Sequence, residues 1–319
     1  MDFGETHQRK TLREQLFVVM PLSFIFVASI VCILLIAFFY HEPITSGEIE
    51  EQVVEDVSDN VANSNTDFSQ EEVVKSIIPI DFQPVIDEWV ENARGNFSVL
   101  IYDLELDKVV GSFNPSESYN TASLYKLFVV YNGYQKIVSG EWNPDDAVSW
   151  TGYTILDCLD LAIRESYSPC AESLWSMIGR DNLQQTIVDD FGIVNSDING
   201  LVSNPNDIMA MMKIFYEHKD ITDSSLIDRM TDSFLNQPVT TYDWRQGLPS
   251  GFSRANVYNK VGWDYNPDGN YWNIYHDAAI VEFPEDNRHF IVVVMTNRVP
   301  FQKIRSLGTM IEIAYYDNQ

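Results

Sequence analysis

The chain has 319 residues, of which 45% are hydrophobic, and a formal net charge of −27 at pH 7. This apolar content is enough for one sizeable folded domain with accessory segments, and it excludes a chain that is disordered throughout. The negative charge excludes nucleic acid as a partner, because the average surface repels phosphate groups.

An uncharged apolar run occupies residues 16–40. A helix of about 25 residues, rising about 1.5 Å per residue, crosses a hydrocarbon core of about 30 Å, so we predict a transmembrane helix with the lipid bilayer as its partner. Arg9, Lys10 and Arg13 precede the run, and acidic residues without Lys or Arg follow it. This asymmetry predicts a single pass with a cytoplasmic N-terminus and an extracytoplasmic C-terminal part.

A cleaved signal peptide is the alternative for this segment. The run is longer than the usual apolar region of about 7–15 residues, and no small-residue cleavage site follows Tyr40. We therefore expect an uncleaved anchor.

Composition divides the chain into four parts. Residues 1–15 are predicted to be a cytoplasmic tail, and residues 16–40 the transmembrane helix. Residues 41–78 are rich in acids, Ser and Asn, which predicts a disordered stalk because such a segment buries too little apolar surface to fold. Residues 79–319 have the composition of a globular domain.

Hydrophobic periodicity in this last part predicts an α+β domain. The predicted helices are residues 82–93, 123–138, 156–165, 170–178, 182–191, 205–217, 224–235 and 301–315. The predicted strands are residues 97–102, 109–113, 257–261, 271–283 and 289–295. This order predicts an antiparallel sheet flanked by helices, with an all-helical lobe inserted in the middle of the chain.

The three cysteines are Cys32, Cys158 and Cys170. They form no CxxC pair and no Cys/His cluster with the spacing of metal ligands, so no zinc site is expected. Cys158 and Cys170 are candidates for a disulfide in an oxidising compartment, but their spacing does not show that the required geometry is reachable. Two buried free thiols are the alternative.

A candidate nucleophile stands at the start of the second predicted helix. Ser123-Leu-Tyr-Lys126 is the only S-x-x-K sequence in the chain, and its three-residue spacing puts the hydroxyl and the amine on one helix face. Burial lowers the pKa of a Lys amine, and a neutral amine can take the Ser proton during attack on a carbonyl. The alternative is that Ser123 simply lies near a helix start and that Lys126 extends toward solvent.

Three short motifs in order along the chain resemble the S-x-x-K, S-D-N and K-T-G elements of class A β-lactamases and penicillin-binding proteins. They are Ser123-Leu-Tyr-Lys126, Ser166-Tyr-Ser168 and Lys260-Val-Gly262-Trp263. The resemblance covers residues 82–319, and three ordered motifs are far more specific than any one of them. It implies a β-lactamase-like fold and a serine hydrolase that works through an acyl-enzyme, without a metal or other cofactor.

The resemblance implies catalytic roles for three residues. Ser123 is implied to be acylated and Lys126 to activate it, while Ser166 relays a proton to the leaving amine. It also implies that Ser123 supplies a backbone N–H group to an oxyanion hole.

Four further residues are implied to bind the substrate. Ser168 occupies the Asn position of the second motif, where it can hydrogen-bond a substrate amide or Lys126. Lys260 attracts the substrate carboxylate, and Gly262 and Trp263 belong to the substrate-binding strand, with the Trp263 N–H in the oxyanion hole. The alternatives are that both motif serines cap the following helix and that Lys260 is an exposed strand lysine.

The chain departs from the family pattern at several positions. Tyr167, Ser168 and Val261 replace the family's Asp, Asn and Thr, so one hydroxyl that helps to bind a carboxylate is missing. The Glu that activates water in class A β-lactamases is not found in residues 192–207, where Asp197 is the only substitute that we identify. A missing base predicts normal acylation with slow release of the acyl group.

Two functional hypotheses follow. The first is an enzyme that cleaves a β-lactam amide, with a D-Ala-D-Ala-type carboxypeptidase or a slowly deacylating penicillin-binding protein as the alternative on the same residues. The second is a catalytically weak module that keeps the groove to bind cell-wall peptide or a partner protein. The altered second and third motifs are the reason for this second hypothesis.

Overall fold

A computed structural model describes residues 77–237, 244–264 and 273–318. The predicted tail and transmembrane helix, and all but the last residues of the predicted stalk, lie outside these ranges. Within them, no helix has both the length and the apolar composition needed to cross a bilayer. The membrane anchor therefore stays a prediction from sequence.

The described residues form an α+β fold. The helices are α1 (Gln83–Asn92), α2 (Tyr125–Val138), α3 (Ile155–Arg164), α4 (Ser168–Ile178), α5 (Arg180–Asp189), α6 (Pro205–Glu217), α7 (Ser224–Leu235) and α8 (Phe301–Asp317). The strands are β1 (Asn96–Asp103), β2 (Lys108–Phe113), β3 (Tyr119–Asn120), β4 (Val202–Ser203), β5 (Asn256–Asp264), β6 (Ile274–Phe283) and β7 (Arg288–Asn297). Short 3₁₀ turns lie at Ala122–Leu124 and Pro249–Gly251.

One antiparallel sheet has the strand order β2-β1-β7-β6-β5. The first hairpin and the last three strands are therefore joined through the β1–β7 pair, although helices α2 to α7 separate them in sequence. The predicted sheet and the predicted helical insertion are both confirmed.

The two faces of the sheet contact two different hydrophobic cores. Val99 and Ile101 of β1 pack toward α1 and α8, whereas Leu100 and Tyr102 pack toward the helical lobe. Alternate residues of a strand face opposite sides of the sheet. The pattern is repeated in β7, where Val292 belongs to the core that contains α1 and α8. The sheet is thus buried on both sides, and the helical lobe is held against one of them.

The pair β3–β4 and both 3₁₀ turns were not predicted. A ladder of two residues has no hydrophobic period, so sequence periodicity does not detect it. The predicted helix at residues 123–138 also differs, because it begins with the 3₁₀ turn Ala122–Leu124 and becomes α-helical at Tyr125. This difference places Ser123 in a tight turn rather than in a regular helix.

A disulfide joins Cys158 of α3 to Cys170 of α4, with their Cα atoms 4.9 Å apart. The structure therefore contradicts the alternative of two free thiols. The bond closes a short loop that contains Ser166 and Ser168. It ties together the two helices on either side of the second motif.

We predict that replacing both cysteines, Cys158→Ala with Cys170→Ala, lowers the free energy of unfolding by about 2–3 kcal/mol, because the unfolded chain regains the entropy of a short loop. Urea unfolding of the purified chain measures the change, and wild type reduced with a thiol should shift in the same direction. An unfolding free energy equal to that of wild type would contradict the role of this bond.

Candidate active site

The structure brings the three sequence motifs together. Ser123 lies in the 3₁₀ turn before α2, and Lys126 lies in the first turn of α2. Ser166 lies between α3 and α4, and Ser168 is the first residue of α4. Lys260 lies on β5, and its amine reaches Ser166 from the sheet.

Local backbone contacts fix the turn that carries Ser123. Ala122 has a φ of +44°, in the left-handed region that a residue with a side chain rarely adopts. Its N–H donates to Asn120 Oδ1 at 2.9 Å, and the Thr121 N–H donates to the Leu201 carbonyl oxygen at 2.8 Å. The strand pair β3–β4 thereby holds Ser123 at the start of the helix, with strain stored next to it.

His276 supports the same segment from the sheet. Its Nδ1 accepts the Thr296 N–H at 2.9 Å, so its Nε2 carries the proton and donates to the Asn120 carbonyl oxygen at 2.7 Å. Burial lowers the pKa of His276 to about 4, so the ring stays neutral. This positioning residue was not identified from sequence, because a lone His next to a strand motif has no distinguishing pattern.

Gly262 lets β5 approach the Ser123 turn. A Cβ atom at this position would lie 2.7 Å from the Thr121 carbonyl oxygen and 3.0 Å from Leu124 Cγ. Glycine is the one residue without a Cβ, so it allows this close backbone approach. The structure therefore gives Gly262 a packing role beside Ser123 in addition to its place in the third motif.

Lys126 is fully buried and points at the second motif. Its Nζ donates to the Ser166 carbonyl oxygen at 2.5 Å and to Ser168 Oγ at 3.0 Å, and it lies 3.3 Å from Ser166 Oγ. Burial lowers the pKa of Lys126 to about 8. The nearby charge of Glu172 acts in the opposite direction and raises this pKa. A fraction of the amine is therefore neutral near neutral pH, as a general base requires.

Lys260 is only 1% exposed, so the alternative of an exposed strand lysine is wrong. Its Nζ donates to Ser166 Oγ at 2.8 Å and to the Val261 carbonyl oxygen at 3.0 Å. Burial lowers the pKa of Lys260 well below its usual value, and the positive charge of Lys126 lowers it further. An arriving carboxylate would offset both effects and favour the ammonium form.

The Ser166 hydroxyl lies between two amines. Lys260 Nζ is 2.8 Å from Ser166 Oγ on one side, and Lys126 Nζ is 3.3 Å away on the other. A hydroxyl has one donor and two acceptor positions, so it can accept from one amine and donate to the other when that amine is neutral. The arrangement can move a proton between the lysines and a group bound beside Ser166.

The capping alternative for the two serines is wrong. Tyr167 is the N-cap of α4, and no side chain caps this helix. Ser166 has a φ of +54°, and its hydroxyl contacts the lysines instead of the helix N-terminus. Ser168 likewise directs its hydroxyl to Lys126.

A cavity of about 310 Å³ opens on this cluster. Its lining residues come from the three motifs and from one further tryptophan: Ser123, Ser166, Ser168, Val261, Trp263 and Trp244. The rings of Trp244 and Trp263 lie 5.9 Å apart, so two aromatic side chains form one wall. Trp244 lies outside the motifs, and sequence reasoning missed it.

Asp197, the substitute suggested for the missing Glu, has a local role. Its Oδ1 accepts the Gly200 N–H at 3.0 Å in its own turn, and the side chain is exposed. Asp207 in the same region accepts hydrogen bonds from Asn195 and Ser196. Both carboxylates stabilise their own loop.

A family model described as "Beta-lactamase enzyme family" matches residues 81–314 of the chain. The chain belongs to the β-lactamase enzyme family. The serine hydrolase class expected from the three motifs is thereby confirmed. No curated protein matches the chain in sequence.

Solved structures support the β-lactamase fold. An ancestral class A β-lactamase (GNCA) is 14% identical with a TM-score of 0.63, and the match covers 73% of this chain and 100% of that one. A β-lactamase from Chitinophaga pinensis DSM 2588 is 17% identical with a TM-score of 0.60, covering 73% and 97%. PBP-A is 16% identical with a TM-score of 0.61, covering 76% and 100%. At such identities the likeness shows the fold alone.

We predict that Gly262→Ala destabilises this β-lactamase fold by about 1–3 kcal/mol, because the added methyl group must push the Ser123 turn away from β5. Urea unfolding measures the change. Gly140→Ala is a comparison variant, since a Cβ there meets no atom within 4 Å and only the φ of +75° opposes it, at a cost of about 1 kcal/mol. A loss for Gly262→Ala below about 1 kcal/mol would contradict the packing role.

Proposed function

We propose that the chain is an extracytoplasmic, membrane-anchored serine hydrolase that cleaves a β-lactam amide through an acyl-enzyme on Ser123. One observation carries this proposal: Lys126 and Lys260, both buried, meet at the Ser166 hydroxyl on the cavity that Ser123 lines. The membrane anchor rests on the apolar run at residues 16–40 and its basic flank.

In this mechanism, neutral Lys126 accepts the Ser123 hydroxyl proton as Oγ attacks the amide carbonyl. The backbone N–H groups of Ser123 and Trp263 stabilise the developing oxyanion. When the carbon–nitrogen bond breaks, the proton passes through Ser166 to the leaving nitrogen. The product is an ester on Ser123, and water must then release it.

Lys260 and Ser168 bind the substrate in this proposal. The Lys260 ammonium attracts the substrate carboxylate, and Ser168 contributes a hydroxyl to the lining of the cavity. Val261 in the third motif offers no hydroxyl to the carboxylate. The proposal therefore assigns more of the carboxylate binding to Lys260 than a K-T-G sequence would.

The proposed function is tested by incubating the purified full chain with benzylpenicillin and measuring its mass. We expect wild type to gain one penicillin, and Ser123→Ala and Lys126→Ala to gain none, because the first lacks the nucleophile and the second the base. Labelling that persists in Lys126→Ala would remove Lys126 from the mechanism. Absence of both adduct and turnover in wild type would favour a module that binds cell-wall peptide, and turnover of a D-Ala-D-Ala peptide alone would favour a carboxypeptidase.

The rate of acylation should depend on pH through Lys126. Its pKa of about 8 means that the amine is mostly charged, and thus inactive as a base, at lower pH. The acylation rate should therefore rise as pH increases and level off above about pH 8. Rapid-quench mass measurement from about pH 6 to about pH 9 gives the profile. A rate that is constant over this range would show that Lys126 is not the base.

A further inference from the structure

Release of the acyl group needs a base for water, and the carboxylates of the loop at residues 192–207 serve their own turns. Buried Asp277 is also unsuited. Its oxygens accept the Leu248 N–H at 2.7 Å and the Asn259 side-chain amide at 2.9 Å. These contacts hold the carboxylate inside the fold, where Asp277 is fully buried.

Glu172 on α4 is placed differently. It lies four residues after Ser168, so the two side chains lie on one helix face about one turn apart. Ser168 Oγ is 3.0 Å from Lys126 Nζ and lines the Ser123 cavity. Glu172 is therefore the next side chain on the face of α4 that carries Ser168.

Tyr125, at the start of α2, holds the Glu172 carboxylate. Tyr125, between Ser123 and Lys126 in sequence, donates its hydroxyl to Glu172 Oε1 at 2.7 Å. Burial raises the pKa of Tyr125, and the hydrogen bond to Glu172 raises it further, so the phenol keeps its proton and stays a donor. The Tyr125 ring is also 5.8 Å from Lys126 Nζ. The carboxylate is thus fixed to the residue next to the proposed base.

The other oxygen of Glu172 faces Arg180, whose Nη2 is 2.9 Å from Oε2. The Glu172 side chain remains 47% exposed, so water reaches it. A carboxylate oxygen accepts more than one hydrogen bond, so the contacts with Tyr125 and Arg180 leave acceptor positions for a water molecule. Glu172 also acts electrostatically on Lys126, since its charge raises the pKa of that amine.

We propose that Glu172 is the general base that activates water to release the acyl group from Ser123. This inference rests on the proposed function, because it concerns the second half of the same reaction. Glu172 accepts one proton from water as the water oxygen bonds to the acyl carbon. The bond between that carbon and Ser123 Oγ then breaks, and the proton that Glu172 accepted passes to Oγ, so that the released acid, a free serine and the Glu172 carboxylate result.

The test separates acylation from release. The full chain is labelled with benzylpenicillin, the excess is removed, and the decay of the adduct is followed by mass. We expect Glu172→Gln to acquire the adduct at least as fast as wild type, because loss of the Glu172 charge lowers the pKa of Lys126. We expect it to lose the adduct about 100-fold more slowly, as for loss of a general base. Glu172→Asp, which keeps a carboxylate, should lie between the two.

Two control variants distinguish a chemical role from a structural one. Glu165→Gln removes an exposed carboxylate next to Ser166 and should leave the adduct lifetime unchanged. Arg180→Gln breaks the ion pair with Glu172 but keeps the carboxylate, so release should stay close to the wild-type rate. If Glu172 only tied Tyr125 to Arg180, Arg180→Gln would slow release as much as Glu172→Gln does.

Several results would overturn the role of Glu172. An adduct lifetime in Glu172→Gln equal to wild type would do so, and so would a wild-type adduct that never decays. In both cases acylation is intact and the proposed function stands. If wild type acquires no adduct and turns over no β-lactam, the proposed function itself fails and Glu172 has no acyl group to release.

Discussion

The candidate site depends on burying two lysine amines around one serine hydroxyl. Taking two ammonium groups out of water side by side is costly, since burial removes hydration and each charge opposes the other. The chain meets this cost by letting the amines lose protons and by supplying oxygen acceptors, which are the Ser166 carbonyl, two serine hydroxyls and the Val261 carbonyl. The same cost lowers the pKa of Lys126 to about 8 and the pKa of Lys260 well below its usual value.

The surrounding fold provides the rigidity that this arrangement needs. The helical lobe carries Ser123, Lys126 and Ser166, whereas β5 carries Lys260, so the site exists only where lobe and sheet touch. Gly262 and His276 fix that contact on the sheet side, since one allows the close approach and the other donates to the Asn120 carbonyl. Side chains on both sheet faces are buried in hydrophobic cores, which limits sliding of β5 relative to the lobe.

Sequence periodicity and motif order predict the sheet, the inserted helical lobe and the meeting of the three motifs. They succeed because buried strands and amphipathic helices have a regular apolar spacing, and because ordered motifs constrain one another. Features without a period were missed, such as the β3–β4 pair and the left-handed turn at Ala122. Trp244, His276 and Glu172 were missed for another reason: each acts through contacts between segments far apart in sequence.

The Cys158–Cys170 bond encloses the segment that bears Ser166 and Ser168 within a small covalent ring. A ring of this size has few conformations even when neighbouring helices fluctuate, so the two hydroxyls need little reorganisation when a ligand arrives. Oxidation of the two thiols thus removes part of the conformational entropy of this segment in advance. Substrate binding then has less of that entropy to remove. Covalent preorganisation gives the lysines fixed oxygen partners before any reaction begins.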